Sequence, residues 1–583
     1  MNPKSTIVVF LCACTLACVW FLSHFLRTSE QLEHNRIGAE QVRELEKHRQ
    51  EMALPRKRKS HASDAEVATI VSEKARNKIS AALVERLLRA MRANRRAAID
   101  GEAILSFEDG KAFDHFVEIS KARRSPVSLL GVLESLKAVR IGYNDLEDLR
   151  DLLNELDGIE LDIDANYIVR IPIYPVPDPD DPLPGSSGGA PFRNTSLRFL
   201  GVRNGQNAGW GKGVVIAVID SGVADHTTFR DGQVRAIGTS IIPAESEPGD
   251  NALVDGHGTA VASIIAGNDA RTPGVAPQAQ ILSLQLLDSE GNGDSFTLAQ
   301  LIGEAVAAGA QIINLSVGSY GDSQLVREMV AEASSNQRLL VASTGNDGAD
   351  TIVYPAAYDE VIAVGAIDAQ GEHLEFSNSG EQLDLAAPGL AIDAAWPNGQ
   401  MVAFSGTSAS TPFVTGAIAA VMSENPALSP QQAWQLIQQF TDEAGAPGPD
   451  PMVGRGNLNI GRLMERDERG IYDLALTSHY LDPDSTSQNI QVTVQNRGTE
   501  VLANIGLNVT SPNREQRFNI AQLRPGQIAT REVNFDHQLA ASTGSITIGS
   551  FATLPQTTPD RTPANNLLQS LITFGTEEKT AAK

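Results

Sequence analysis

Three short stretches carry the residue types of nucleophilic catalysis, each in a glycine-rich context. Gly406-Thr407-Ser408-Ala409-Ser410-Thr411-Pro412 puts a serine on a glycine-led turn just ahead of a small-residue helix expected over roughly Ser410 to Ser423. Such a turn exposes the hydroxyl, and the unpaired amides and positive dipole end of the helix favour an anion formed beside it. A serine hydroxyl is a poor nucleophile at neutral pH, so it needs a base within hydrogen-bond reach and a group that orients the base. Asp255-Gly256-His257-Gly258-Thr259 offers the base: His257 falls in the first turn of a second small-residue helix, with glycines on both sides that leave space for a substrate chain. The orienting group is Asp220, which ends the apolar run Val214 to Ile219, a strand buried on both faces. The carboxyl end of a strand is where open α/β sheets place their sites.

Taken one at a time, these residues have plain structural readings: Ser408 as a helix cap, Asp220 as a turn cap, His257 as a satisfied histidine at a helix start. Their joint occurrence carries the weight. The chain order Asp, His, Ser, with each residue on a βα repeat, resembles the subtilisin-like serine proteases over about residues 195 to 465. The resemblance implies that Ser408 attacks a scissile carbonyl, that His257 takes its proton and returns it to the leaving amine, and that Asp220 holds the imidazole in the right tautomer. A fourth motif fits. Leu339 to Ser343 is a buried strand running into Thr344-Gly345-Asn346, and the matching asparagine of the family donates its amide to the oxyanion, a role that falls to Asn346. Read without the family, Asn346 is a turn residue after a strand.

The same resemblance locates a groove. Ile312 to Leu315 is a strand leading into Ser316-Val317-Gly318, similar to the segment that pairs with extended substrate in the family; backbone pairing of that kind reads peptide rather than sequence. Val353, just before Tyr354-Pro355, stands where many relatives have glycine at the wall of the primary specificity pocket, which implies a shallow pocket for small or medium apolar side chains. Ala260 and Ser263 depart from the family's commoner His-Gly-Thr-His-Val-Ala-Gly, and the Ser408 motif reads Ser-Ala-Ser-Thr-Pro-Phe in place of Ser-Met-Ala-Ser-Pro-His; these are supporting positions, not chemical ones. Ala266 to Gly274 is too short for the calcium loop many relatives carry. The chemistry requires no cofactor, calcium has no support in the sequence, and no metal ligand set is assigned.

With 583 residues, several domains are expected, each able to bury its own core. Cys12, Cys14 and Cys18 are the cysteines of the chain and all lie in its first apolar run, so no disulfide holds the remainder. That run, Ile7 to Leu26, follows Lys4 and, at about 1.5 Å per residue, just crosses a bilayer core of about 30 Å. It reads as a cleaved signal peptide or as an uncleaved anchor over residues 1–26; Arg27 and later basic residues compete with Lys4, so charge does not decide an anchor's orientation, and the expected location is extracytoplasmic, anchored in the cell envelope or secreted. From 27 to 100 the chain is polar and basic, with Arg56-Lys57-Arg58-Lys59 and a helical repeat of Ile79, Leu83, Leu87 and Met91. This is a solvated linker with one amphipathic helix, or a surface for anionic headgroups of a membrane. The whole chain is net −24, so everything beyond this basic stretch is strongly acidic and argues against nucleic acid as a partner.

Residues 101–174 look like a small α+β module: strand Ala103 to Phe107, helix Lys111 to Ala122, strand Leu136 to Tyr143, a helix capped by Asn144 with Glu147 placed for a capping box, and strands Ile159 to Ile163 and Tyr167 to Ile171. In position and element order it is similar to the ferredoxin-like inhibitory propeptides of the subtilisin-like proteases, which implies a segment that templates its own catalytic domain and blocks it as an intramolecular inhibitor. Residues 175–194, rich in Pro, Asp and Gly, form the linker where processing is expected. Beyond Gly461, alternating runs such as Ile490 to Val494, Ile505 to Val509 and Ser545 to Ile548 suit an antiparallel β-sandwich over residues 470–576. Asn496-Arg497-Gly498 and Pro563-Ala564-Asn565-Asn566 resemble the bacterial cell-adhesion-related β-sandwich domain. The expected architecture is therefore multidomain: an α/β catalytic domain with a mostly parallel, doubly wound sheet over 195–465, a propeptide before it and a β-sandwich after it. Two functional classes stand against each other. One is a serine endopeptidase made as a zymogen and acting on polypeptide; the other is a surface adhesion or scaffolding protein whose protease fold no longer cleaves. Retention of Asp220, His257, Asn346 and Ser408 together favours the first.

Overall fold

A computed structural model describes residues 81–94, 97–122, 126–156, 158–172, 189–237, 256–481 and 489–573. The first apolar run, Arg56 to Lys59 and most of the 175–194 linker lie outside them. Among the described residues no helix is long and apolar enough to cross a membrane.

The first unit is built from β1 (Ala98–Phe107), the helix Gly110–Ala122, β2 (Ser128–Leu133), β3 (Ala138–Gly142), the helix Leu146–Glu155 and β4 (Leu161–Arg170). Its strands pair antiparallel in the order β2-β3-β1-β4. Phe107, Phe113 and Phe116 pack with Leu149 and Leu153 between sheet and helices. The amphipathic helix read as part of a linker covers 81–93, and its Val84 and Leu87 are buried in this same core, so it is a structural member of the unit. β2 has no counterpart in the sequence reading because of its six residues only Leu133 is buried, which leaves no clear alternation. The helix cap is Asp145 rather than Asn144: its carboxylate accepts the N–H groups of Glu147 and Asp148, where a charged acceptor also suits the helix dipole. The two short strands expected after it are one, β4. Its Asp164 and Asn166 look like turn residues in sequence, yet both are taken up by partners outside the unit. Asp164 Oδ2 accepts the Gln324 N–H at 2.9 Å, and Asn166 Oδ1 accepts the Phe296 N–H at 3.1 Å.

The central unit contains β5 (Val215–Asp220), β6 (Val234–Ala236), the helix His257–Ala266, β7 (Gln280–Gln285), β8 (Asn292–Asp294), the helix Ser295–Ala307, β9 (Ile312–Leu315), the helix Gln324–Ser335, β10 (Leu339–Ser343), β11 (Val361–Ile367), β12 (Leu385–Pro388), a hairpin of β13 (Ile392–Trp396) and β14 (Gln400–Phe404), and the helix Thr407–Glu424. A seven-stranded sheet runs β12-β11-β10-β9-β5-β7-β6, parallel throughout. Alternation along β5 shows why it reads as continuously apolar: Ile216 and Val218 enter the core under the His257–Ala266 and Thr407–Glu424 helices, while Ala217 and Ile219 enter the core on the opposite face. The chain turns from β5 toward β7 on one side and toward β9 on the other, so the carboxyl end of β5 lies at the topological switch point.

β8 is not part of that sheet. It pairs antiparallel with β4, Ile168 opposite Asp294 and Arg170 opposite Asn292, and so extends the first unit's sheet by a strand of the central unit. Around this joint Arg140 donates to Glu102 at 2.8 Å and to Asp294 at 2.9 Å, and Asn166 Nδ2 bridges the same two carboxylates. The last unit places β15 (Leu474–Leu481), β16 (Ile490–Asn496) and β19 (Ile528–Val533) in one antiparallel sheet. β17 (Leu502–Ser511), β18 (Arg514–Leu523), β20 (Ser545–Thr553) and β21 (Leu567–Thr573) form another. Val492, Val494, Ile505, Val509 and Ile548 share one core between them. Buried Arg462 ties this unit down, donating to the carbonyls of Thr441 and Arg497 and to Asp442, which also meets Arg497 at 3.1 Å.

Candidate active site

Asp220, at the end of β5, is fully buried and His257, opening its helix, is nearly so. His257 Nδ1 lies 2.8 Å from Asp220 Oδ1 and 3.0 Å from Oδ2, so the carboxylate fixes the ring with Nδ1 protonated and Nε2 free to accept. The Ser221 N–H donates to Asp220 Oδ1 at 2.7 Å, and the imidazole stands edge to face on Phe404, ring centres 5.1 Å apart. The glycines beside His257 are closely packed by the protein itself. A Cβ on Gly256 would lie 2.2 Å from the Trp396 ring, and one on Gly258 would lie 2.3 Å from the Gly222 carbonyl. They are needed for packing the histidine against its own strand and hairpin.

The helix that begins after Gly406 starts at Thr407, earlier than expected, and takes Ser408 into its first turn. Pro412 lies inside it and has no N–H to give the Ser408 carbonyl four residues back. Ser316 Oγ donates to that carbonyl at 3.1 Å, and Ser408 Oγ donates in return to the Ser316 carbonyl at 3.2 Å. Among the described residues no hydrogen bond joins Ser408 Oγ to His257. The base expected within reach is held by Asp220, while the hydroxyl is turned to the groove strand.

Asn346 sits where β10 ends, and its amide is oriented from behind. Oδ1 accepts the Thr407 N–H at 2.9 Å and the Thr407 hydroxyl at 2.8 Å, which leaves Nδ2 pointing outward. Gly406 makes this approach feasible: its φ is +120°, and a Cβ there would lie 2.8 Å from Asn346 Nδ2. Nδ2 donates to the Pro172 carbonyl at 2.7 Å. Pro172 belongs to a strap whose described residues, 168–172, lie between β8 and the Ser316–Gly318 segment. Arg170 and Gly318 exchange both backbone hydrogen bonds at 2.9 Å, and Arg170 Nε donates to Asn292 Oδ1. Gly318 therefore pairs with an extended chain, Ser316 meets the nucleophile, and the Val317 side chain turns away into the core. Val353 packs over the gap between the glycines: a Cβ on Gly318 would lie 2.3 Å from its Cγ2, and one on Gly345 would lie 3.2 Å from its Cγ1.

A sequence profile of the subtilase family matches residues 211–456. The thermostable alkaline protease of Halalkalibacterium halodurans is 35% identical over 272 residues, 46% of this chain and 73% of that protein. The chain belongs to the subtilase family. It is a subtilisin-like serine endopeptidase, and polypeptide is its substrate. The minor extracellular protease Epr of Bacillus subtilis is 35% identical to this subtilase over 269 residues, 46% of this chain and 41% of that one. Fervidolysin from Fervidobacterium pennivorans, described as a keratinolytic enzyme related to subtilisin, superposes with a TM-score of 0.51 at 20% identity, covering 82% of this chain and 76% of its own.

Several parts of the subtilase site are absent from the sequence reading. Thr407 is one: a hydroxyl next to the nucleophile signals nothing until Asn346 is placed behind it. Trp396, Phe404 and β8 are others, and each meets the site only through a distant stretch of chain. Asn378 holds the turn after Asn346, its Oδ1 accepting the N–H groups of Asp347 and Ala349. In the sequence Ser377-Asn378-Ser379 reads as a polar turn, and only the fold shows that all three are buried.

Proposed function

We propose that Asp220, His257 and Ser408 hydrolyse peptide bonds through an acyl-enzyme, and that the chain is made as a zymogen blocked by its own first unit. His257 Nε2 takes the Ser408 proton as Oγ bonds to the scissile carbonyl carbon, then delivers it to the leaving amine; Asn346 Nδ2 receives the oxyanion; water attacks the ester with His257 again as base. The observation that carries the zymogen reading is the Pro172 carbonyl at the Asn346 amide, with Arg170 paired to Gly318 in the substrate's place.

The βαββαβ order of the first unit suits a ferredoxin-like propeptide spanning about 101–174, joined by the 81–93 helix, and the paired sheets of about 470–576 suit an accessory β-sandwich. Val353 over Gly318 and Gly345 favours small or medium apolar residues at the cleaved position. An extracellular setting is supported by the similarity to an extracellular protease and by the first apolar run, as signal peptide or membrane anchor. Labelling tests the whole. After the first unit is removed, a fluorophosphonate should mark Ser408, a Ser408→Ala chain should take no label, and the intact chain should label far more slowly. An unblocked protein that takes no label between pH 6 and 10 overturns the endopeptidase reading in favour of a scaffold.

A further inference from the structure

The strap reaches the catalytic residues with a proline where a donor is needed. Arg170 lies opposite Gly318 in an antiparallel pair, so the residue two further along the strap, Pro172, falls opposite Ser316. An ordinary residue there would donate its N–H to the Ser316 carbonyl as the next rung of the ladder. Proline has no N–H. The Ser316 carbonyl is occupied instead by the Ser408 hydroxyl at 3.2 Å, and among the described residues no hydrogen bond joins that hydroxyl to His257. The Pro172 carbonyl is at the same time fully engaged with Asn346 at 2.7 Å. The scissile position is thus occupied and polarised, the rung that would register the strap is missing, and the hydroxyl that should attack is tied to the acceptor left vacant by that missing rung.

We propose that Pro172 makes the strap a stop rather than a substrate: the enzyme does not cut its own Pro172–Ile173 bond at a useful rate, and the precursor waits for a second endopeptidase. This rests on the zymogen reading and adds to it who makes the activating cut. The chemistry that the stop withholds is ordinary acyl transfer. Ser408 Oγ would bond to the residue-172 carbonyl carbon, the bond to the Ile173 nitrogen would break with the serine proton delivered to that nitrogen through His257, and water would release the new carboxylate. An N–H at 172 would claim the Ser316 carbonyl and return the Ser408 hydroxyl to His257. A backbone N–H that takes the Ser316 carbonyl from the hydroxyl registers the strap and frees the nucleophile, and together these should be worth roughly tenfold or more in rate.

The test uses the full chain made in a reconstituted, protease-free translation mixture, with intact mass and N-terminal sequence followed over hours. The wild-type chain should stay intact and silent toward a chromogenic peptide, and a trace of an added broad-specificity endopeptidase should switch it on. Pro172→Ala should generate a chain beginning at Ile173 at least about tenfold faster than wild type, by a concentration-independent process that Ser408→Ala abolishes. A wild-type chain that yields the Ile173 terminus by itself overturns the stop while leaving the zymogen standing. So does a folded Pro172→Ala chain that stays intact. An uncut wild-type chain that already hydrolyses the peptide overturns the zymogen reading itself.

Discussion

Thr407 offers a direct measure of how the oxyanion donor is aimed. Its hydroxyl and its N–H both hold Asn346 Oδ1, at 2.8 and 2.9 Å, and Thr407→Val deletes the hydroxyl while keeping the shape and the backbone bond. Losing one neutral hydrogen bond of about 0.5–1.5 kcal/mol loosens the amide, so kcat should fall by about 2- to 10-fold with KM little changed, because the bond acts on the charge that forms during reaction. Asn346→Ala removes the donor itself and should cost on the order of 100- to 1000-fold. In the double variant there is no amide left to aim, so Thr407→Val should add nothing further, and the coupling between the two sites should equal the whole of the single Thr407 effect. Steady-state kinetics on a peptide with a small apolar residue at the cleaved position, with enzyme freed of its first unit, reads all four corners of the cycle. If Thr407→Val slows the Asn346→Ala enzyme by the same factor as the wild type, or acts on KM alone, Thr407 does not work through Asn346.

Val353→Gly should open the pocket between Gly318 and Gly345; burying an aromatic side chain there is worth about 1.5–3 kcal/mol, so kcat/KM for Phe relative to Ala at the cleaved position should rise by about 10- to 150-fold in paired peptides. Arg462→Ala leaves the half-buried Asp442 to Arg497 and the Asn459 amide and strips the Thr441 and Arg497 carbonyls of a donor; calorimetry should show a loss of about 1.5–3 kcal/mol. His479, held between the Ser550 and Ser570 hydroxyls, is pushed by burial down to about 4. The unfolded imidazole binds its proton near 6.5, so the stability due to the neutral folded form is complete above that pH and is lost as pH falls toward 4, by about 1–3 kcal/mol. Thermal unfolding of wild type and His479→Gln at pH 4.5 and 7.5 should show a smaller acid-dependent drop in the variant, since His373, Asp442 and Glu465 still lose stability on acidification in both.

The catalytic motifs are legible in the sequence because each is local. Val214 to Ile219 announces a doubly buried strand ending at Asp220, and Gly406-Thr407-Ser408 announces a turn before a helix, whatever the rest of the chain does. The features that stay hidden depend on partners far along the chain. Gly256 cannot be explained until Trp396 is placed against it, nor Gly258 without the Gly222 carbonyl. Asp164 and Asn166 break the apolar alternation of β4 and so make it read as two strands; they are polar because they accept N–H groups of the central unit. β8 is three residues long, too short for any periodicity, and becomes a strand only because β4 lies beside it. Pairing across units is a property of the assembled fold, and single-stretch patterns do not carry it.

The carbonyl of Ser408, released by Pro412, ties the nucleophile to Ser316 and not to its own helix. Ser316 also begins the strand on which an extended chain is laid, through Gly318. Attacker and target are therefore both measured from one residue. When thermal motion or an ill-fitting peptide displaces that strand, it carries the serine backbone and the bound carbonyl in the same direction, and the distance between them changes less than either position does. A proline that breaks one helical hydrogen bond thus makes the reacting distance tolerant of movement in the groove.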